Sequence, residues 1–148
     1  MTAQVAILLA VTLQIVACGQ PAGPPLTISD MVVLEPLPGS RMVAGYLQLE
    51  NHSDEPITIV KVTSAAFASI EMHETIIENE VASMISLTPL VIGQKSAVVF
   101  EPGAKHLMMF GAAKEIVAGA PITIEFHDNA NGLVAVATTV RSREDFQE

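Results

Sequence analysis

Four residues, His73, Met84, His106 and Met108, combine side-chain types that could hold a metal ion. Two imidazoles and two thioethers are neutral donors. Thioether sulfur is soft and favours Cu(I) over Zn(II), Mg(II) or Ca(II), and imidazole suits copper as well. The single cysteine, Cys18, excludes a disulfide within the chain, a thiolate zinc site and a dithiol redox motif. A donor set without cysteine fits a compartment outside the cytoplasm, where thiols are oxidised. Such a set releases no thiol proton on binding, so only the histidines couple affinity to pH. Taken singly, each methionine is most simply core filler and each histidine a surface residue. The case for a site therefore rests on spacing and placement.

The run Ile70-Glu71-Met72-His73-Glu74-Thr75-Ile76-Ile77 precedes Glu78-Asn79, and Glu80-Val81-Ala82-Ser83-Met84 follows. It reads as a hairpin. With Glu78 and Asn79 as a two-residue loop, Ile77 pairs with Glu80 and His73 lies directly opposite Met84, on one face. A three-residue loop would shift this pairing by one. His106 and Met108 stand two apart in a strand, so both point to one face and Met109 to the other. The turn Glu101-Pro102-Gly103-Ala104 puts His106 near a strand end, where sites on β scaffolds commonly sit.

The full pattern is His73-x10-Met84-x21-His106-x-Met108, with Met72 beside the first histidine. It resembles the signature of the PCuAC-type periplasmic copper chaperones, a His often next to a Met, then x10-Met-x21-His-x-Met. The resemblance runs over roughly residues 26–141. It takes in Gly45-Tyr46-Leu47, Leu49-Glu50-Asn51 and the Pro102-Gly103 turn. It implies a cupredoxin-like Greek-key β-barrel or sandwich with one exposed Cu(I) site, whose ligands would be His73, Met84, His106 and Met108. It also implies delivery of copper, directly or through a Sco-type protein, to the dinuclear copper centre of cytochrome c oxidase subunit II. Met72 is not carried over as a ligand, because strand alternation points it away from His73. Two positions depart from the family. Asp30 is followed by Met31-Val32-Val33 where members show a Trp, and Ser142–Glu148 holds no Met or His, so a single copper site is expected.

These residues need a frame, and the 148-residue chain has length for one domain. Aromatic residues make up 4 % and there is no Trp, so the core must come from Val, Ile, Leu and Ala. From Leu26 onward the sequence breaks into β-branched runs with turn signals at intervals of roughly ten residues, the pattern of an all-β sandwich or barrel. The expected strands are Leu26–Leu34, Val43–Glu50, Ile57–Ser64, Ser69–Ile77, Val81–Leu87, Ser96–Glu101, His106–Phe110, Pro121–His127 and Val134–Arg141. Ile92-Gly93-Gln94 reads as punctuation, and residues 111–118 leave room for a helical turn. Leu47 and Leu49 share one face, as do Ile122, Ile124 and Phe126.

Residues 1–18 read as an export signal ending in Ile15-Val16-Ala17-Cys18-Gly19, which resembles a bacterial lipobox with Cys18 as the lipidated residue. No Lys or Arg precedes Arg41, and a plain signal peptide cleaved near Cys18 is the alternative. Residues 19–25 form a Pro/Gly-rich tether, 26–141 the β domain and 142–148 a short acidic tail. The expected product is a monomeric, membrane-anchored, extracytoplasmic protein. A net charge of −9 with scattered basic residues excludes nucleic acid as a partner. That charge serves solubility, or attracts cations or a basic partner. His52 and His127 are read as surface histidines. No nucleophile motif or phosphate loop is present, so an enzyme is not expected. A blue-copper site lacks its cysteine. The remaining alternative is a structural or adhesive β-sandwich lipoprotein without metal.

Overall fold

The computed structural model describes residues 23–146. The signal segment, Cys18 and the start of the tether lie outside them. The described residues form ten strands: β1 (Leu26–Leu34), β2 (Val43–Asn51), β3 (Ile57–Thr63), β4 (Phe67–Glu78), β5 (Val81–Ser86), β6 (Leu90–Ile92), β7 (Ala97–Phe100), β8 (Lys105–Ala112), β9 (Pro121–Asp128) and β10 (Leu133–Arg141). One short helix, α1 (Arg143–Phe146), follows.

Alternation builds the core. Along β2, Val43, Gly45, Leu47, Leu49 and Asn51 face inward while the residues between them are half-exposed. Ile122, Ile124 and Phe126 of β9 do the same. Strands with one buried face close their edges by pairing around a barrel. Here the ring runs β4-β8-β2-β1-β10-β9-β3 and closes between β3 and β4 at Val62 and Ile70. β1 and β10 pair parallel, and the other pairings are antiparallel. β5 hangs outside the ring on β4, β6 on β3, and β7 on the upper half of β2. The core is aliphatic, with Phe67, Phe100 and Phe126 as its buried aromatics.

Among the described residues Asn51 is the buried polar side chain, and all its capacity is used. Its Nδ2 donates to the carbonyls of Glu55 (2.8 Å), Gly93 (3.0 Å) and Ile92 (3.2 Å). Its Oδ1 accepts from the amide (2.9 Å) and hydroxyl (2.7 Å) of Ser53. One amide thus stitches the turn after β2 to the end of β6.

Two elements differ from the sequence expectation. β6 forms where punctuation was expected, because its three residues pair with Ile57–Ile59 of β3, a long-range partner. Residues 111–118 form no helical turn. β8 runs on to Ala112, and Ile116 drops into the core. Within the expected acidic tail, Ser142 Oγ accepts from the Asp145 amide (3.1 Å) and starts α1. That turn stacks Phe146 on Tyr46, with ring centroids 5.4 Å apart.

Candidate metal centre

The site is built on the pairing of β4 with β8, which brings together chain segments about thirty residues apart. In that register Glu71 faces Met108, Met72 faces Leu107, and His73 faces His106. Met72, Leu107 and Met109 turn inward and are fully buried, so Glu71, His73, His106 and Met108 share the outer face. The rings of His73 and His106 meet edge to face with centroids 6.0 Å apart. His73 Nδ1 lies 2.9 Å from Met108 Sδ.

The loop before β8 fixes the approach. Gly103 has φ +80°, a left-handed conformation that glycine adopts without a side-chain clash. The turn is closed by Ala104 N donating to Glu101 O (3.1 Å) and Glu101 N donating to Lys105 O (2.8 Å). Thr75 N donates to Ala104 O (3.1 Å), which ties this turn to β4. The same carbonyl lies 3.0 Å from His106 Nδ1. A carbonyl can only accept, so His106 carries its proton on Nδ1 and keeps the Nε2 lone pair free. Lys105 donates to Glu74 Oε1 at 2.7 Å, pairing the adjacent positions.

The hairpin register is a correction to the sequence reading. The two loop residues are Asn79 and Glu80, both at positive φ (51° and 65°), not Glu78 and Asn79. Two-residue hairpin loops of this hand need φ > 0 at both positions, and Asn is among the residues that tolerate it. Glu78 therefore pairs with Val81, Thr75 with Met84, and His73 with Ser86. Met84 is diagonal to His73, not opposite it. The slip is two residues, so Met84 keeps to the face that holds His73. It is 59 % exposed, on a strand exposed along its whole length. Three of the four sequence-selected side chains thus sit together on the barrel wall. The fourth stands at its edge.

Sequence reasoning assigned no role to Glu71 or Met42. Glu71 Oε2 lies 3.0 Å from His73 Nε2. Its two-residue spacing from His73 in a strand was the available signal. Met42 and Tyr46 border an open groove of about 240 Å³ together with Thr75, Gly103, His106 and Met108. Met42 was invisible as a neighbour because the β2–β8 pairing is long-range. The other histidines are elsewhere: His52 Nε2 lies 2.7 Å from Thr27 Oγ1, and His127 Nε2 lies 2.8 Å from Thr63 Oγ1. Among the described residues no three His, Cys, Asp or Glu side chains gather as a group that could hold a metal. The outer face of β4 and β8 carries two imidazoles, one thioether and the Glu71 carboxylate.

Residues 26–140 match the family described as "Putative lipoprotein LpqE-like". The chain is 31% identical over 101 residues to "Putative lipoprotein Lxx21020" of Leifsonia xyli subsp. xyli, which covers 66% of this chain and 61% of that protein. It is also 31% identical over 96 residues to the Rickettsia prowazekii protein RP573, covering 63% of this chain and 53% of that one. The matches thus span between about half and three fifths of these relatives' lengths. Among solved structures, the chain is similar to the solution structure of CuI-DR1885 from Deinococcus radiodurans, with a TM-score of 0.67 and 24% identity over 85% of this chain and 84% of that one. It is similar to the copper-bound PCuAC domain from PmoF2, with a TM-score of 0.65 and 20% identity over 82% of this chain and 97% of that one. The fold is therefore the cupredoxin-like barrel of PCuAC domains.

Proposed function

We propose that this chain, which belongs to the LpqE-like family, carries Cu(I) outside the cytoplasm and hands it to another protein. His73, Met84, His106 and Met108 are its ligands in this reading. The observation that carries it is the 2.9 Å approach of His73 Nδ1 to Met108 Sδ, with His106 across the ladder. Two soft or borderline donors stand in contact on an outer face, with a third directly across the ladder. Further support comes from proteins of the same fold whose solved structures hold copper or Cu(I).

The arrangement suits carriage rather than catalysis. Neutral imidazole and thioether bind Cu(I) without changing its oxidation state. His73, His106 and Met108 stand on paired strands of the closed barrel, which holds them in place. Met84 stands on the exposed edge strand, so it is the donor an acceptor's ligand can replace first. Transfer is then an exchange of one donor for another, with copper remaining Cu(I) throughout. The acceptor in this proposal is a Sco-type protein or the copper centre of cytochrome c oxidase subunit II. The family description as a lipoprotein supports an anchor at Cys18, and mass spectrometry of the membrane fraction tests it: an unmodified Cys18 removes the anchor.

Anaerobic Cu(I) titration combined with X-ray absorption tests the site. One copper per chain with both nitrogen and sulfur neighbours is expected. Unchanged binding after His106→Ala with Met108→Ala refutes the proposal.

A further inference from the structure

The fold sorts the methionines of the described residues into two groups. Met72 and Met109 are buried and Met31 packs against the core, the ordinary use of this flexible side chain. Met42, Met84 and Met108 stay outside the core, Met42 with 46 % of its surface exposed. Met84 and Met108 belong to the proposed ligand set, and Met42 does not. We propose that Met42 is a further Cu(I) donor, which forms with Met108 and His106 a second, weaker position for the ion in the groove beside the first. This rests on the Cu(I) reading above and deepens it.

Register places Met42. β5, β4, β8 and β2 are successive neighbours in the sheet. Ala44 lies directly across from Met108, and Val43 from Met109. Val43 and Met109 are both buried, so Met42 and Ala44 have the parity of the outer face that carries Met108. Continuing this ladder by one residue sets Met42 opposite Phe110 and diagonal to Met108. Diagonal neighbours stand about 7–8 Å apart, within reach of long side chains. Met84 is diagonal to His73 on the other flank. The donors therefore form an oblique row across four strands: Met84, His73, His106, Met108 and Met42.

The local structure leaves room for an ion at the end of that row. Ala44 sets only a methyl group across from Met108, and a groove of about 240 Å³ opens there, bordered by Met42, Tyr46, His106 and Met108. Ser40 fixes the backbone of the new donor. Its hydroxyl accepts from Met42 N at 3.1 Å and donates to Met42 O at 3.4 Å. Two thioethers and an imidazole are the donor types that suit Cu(I). Met42 stands two strands from His73, so it does not complete the first position. Met108 is common to both positions. One ion therefore fills them in turn, and the stoichiometry stays at one copper per chain. With one imidazole instead of two, the groove position is the weaker. It gives copper a step toward the flank of the barrel away from β5.

The experiment follows the methionine methyl groups by 1H–13C correlation spectroscopy during anaerobic Cu(I) titration, with affinity measured by chelator competition. Wild type and a His73→Ala, Met84→Leu double variant are compared, each with and without Met42→Leu. His73 and Met84 stand outside the core, and circular dichroism checks that each variant keeps its β structure. In wild type, copper should shift the Met84 and Met108 methyls fully and the Met42 methyl by a smaller amount. In the double variant the ion is confined to the groove, so the Met42 and Met108 methyls should shift together. Met42→Leu should then weaken binding by about tenfold, against about twofold in the wild-type background. A Met42 methyl that copper leaves unmoved in wild type while that of Met108 moves overturns the inference and leaves the copper reading standing. So does a Met42→Leu change that costs no more in the double variant than in wild type. The wild-type titration decides even where the double variant does not fold. If none of the three methyls moves in wild type, both fall.

Discussion

Met108→Leu separates copper binding from folding. Met108 is half-buried on the outer face, touches His73 and supports no core contact of the kind Leu107 and Met109 make. Leu conserves apolar volume, so the copper-free variant should lose less than about 1.5 kcal/mol. The same change removes the one sulfur in contact with a ring nitrogen. Taking that loss as about a hundredfold in affinity, it corresponds to about 2.7 kcal/mol. The linkage can be read as heat stability. With free Cu(I) buffered at about a thousand times the wild-type Kd, copper stabilises wild type by about 4.1 kcal/mol and the variant by about 1.4 kcal/mol. For a domain of this size each kcal/mol moves Tm by about 3–5 °C. Copper should therefore raise Tm by about 12–20 °C in wild type and about 4–7 °C in Met108→Leu, at the rate of conversion just given. The assay is thermal unfolding followed by circular dichroism under a fixed, anaerobic Cu(I) buffer. A variant whose copper-linked shift equals that of wild type refutes the assignment of Met108 to the site.

Met84→Leu should weaken Cu(I) by about tenfold, less than Met108→Leu, because Met84 stands exposed on the edge strand; chelator competition compares the two, and an equal or larger loss contradicts the exchangeable role given to Met84. Asn51→Ala leaves three carbonyls without their donor, and should cost about 2–4 kcal/mol in chemical denaturation with copper binding retained on the folded fraction. Burial raises the Tyr46 hydroxyl above its ordinary value of 10.0, with Arg143 acting in the opposite direction. The folded protein then holds this proton more tightly than the unfolded chain, so its contribution is whole below pH 10 and declines as pH rises through the folded value. Denaturation midpoints between about pH 9 and pH 11 should fall less in Tyr46→Phe than in wild type, and identical profiles would remove Tyr46 as the cause.

The parts of this molecule that could be read from sequence are those with a local rule. β1 begins and ends where its β-branched run does, and the inward faces of β2 and β9 follow strict alternation. β6 is three residues long and exists through its ladder with β3, so nothing local marks it. Ser142-x-x-Asp145 is a helix-start signal that the acidic composition of the tail obscured. The closing contact of the site, β4 against β8, joins segments with no local relation, and only the family spacing pointed to it.

The hairpin shows why the donor face was legible when its register was not. Asn79 opening the loop, rather than closing it, moves every β4–β5 pair by two residues. A slip of one would have turned Met84 to the face of Val81, Ser83 and Ile85 and left the candidate site with three donors. A slip of two preserves the face and changes only the distance, from directly opposite to diagonal, about 7–8 Å between backbones in an antiparallel pair. For a permanent structural ligand that displacement would be a defect. Under the proposed function it leaves three donors on the barrel and one beside it, an arrangement suited to holding an ion and still opening toward an acceptor.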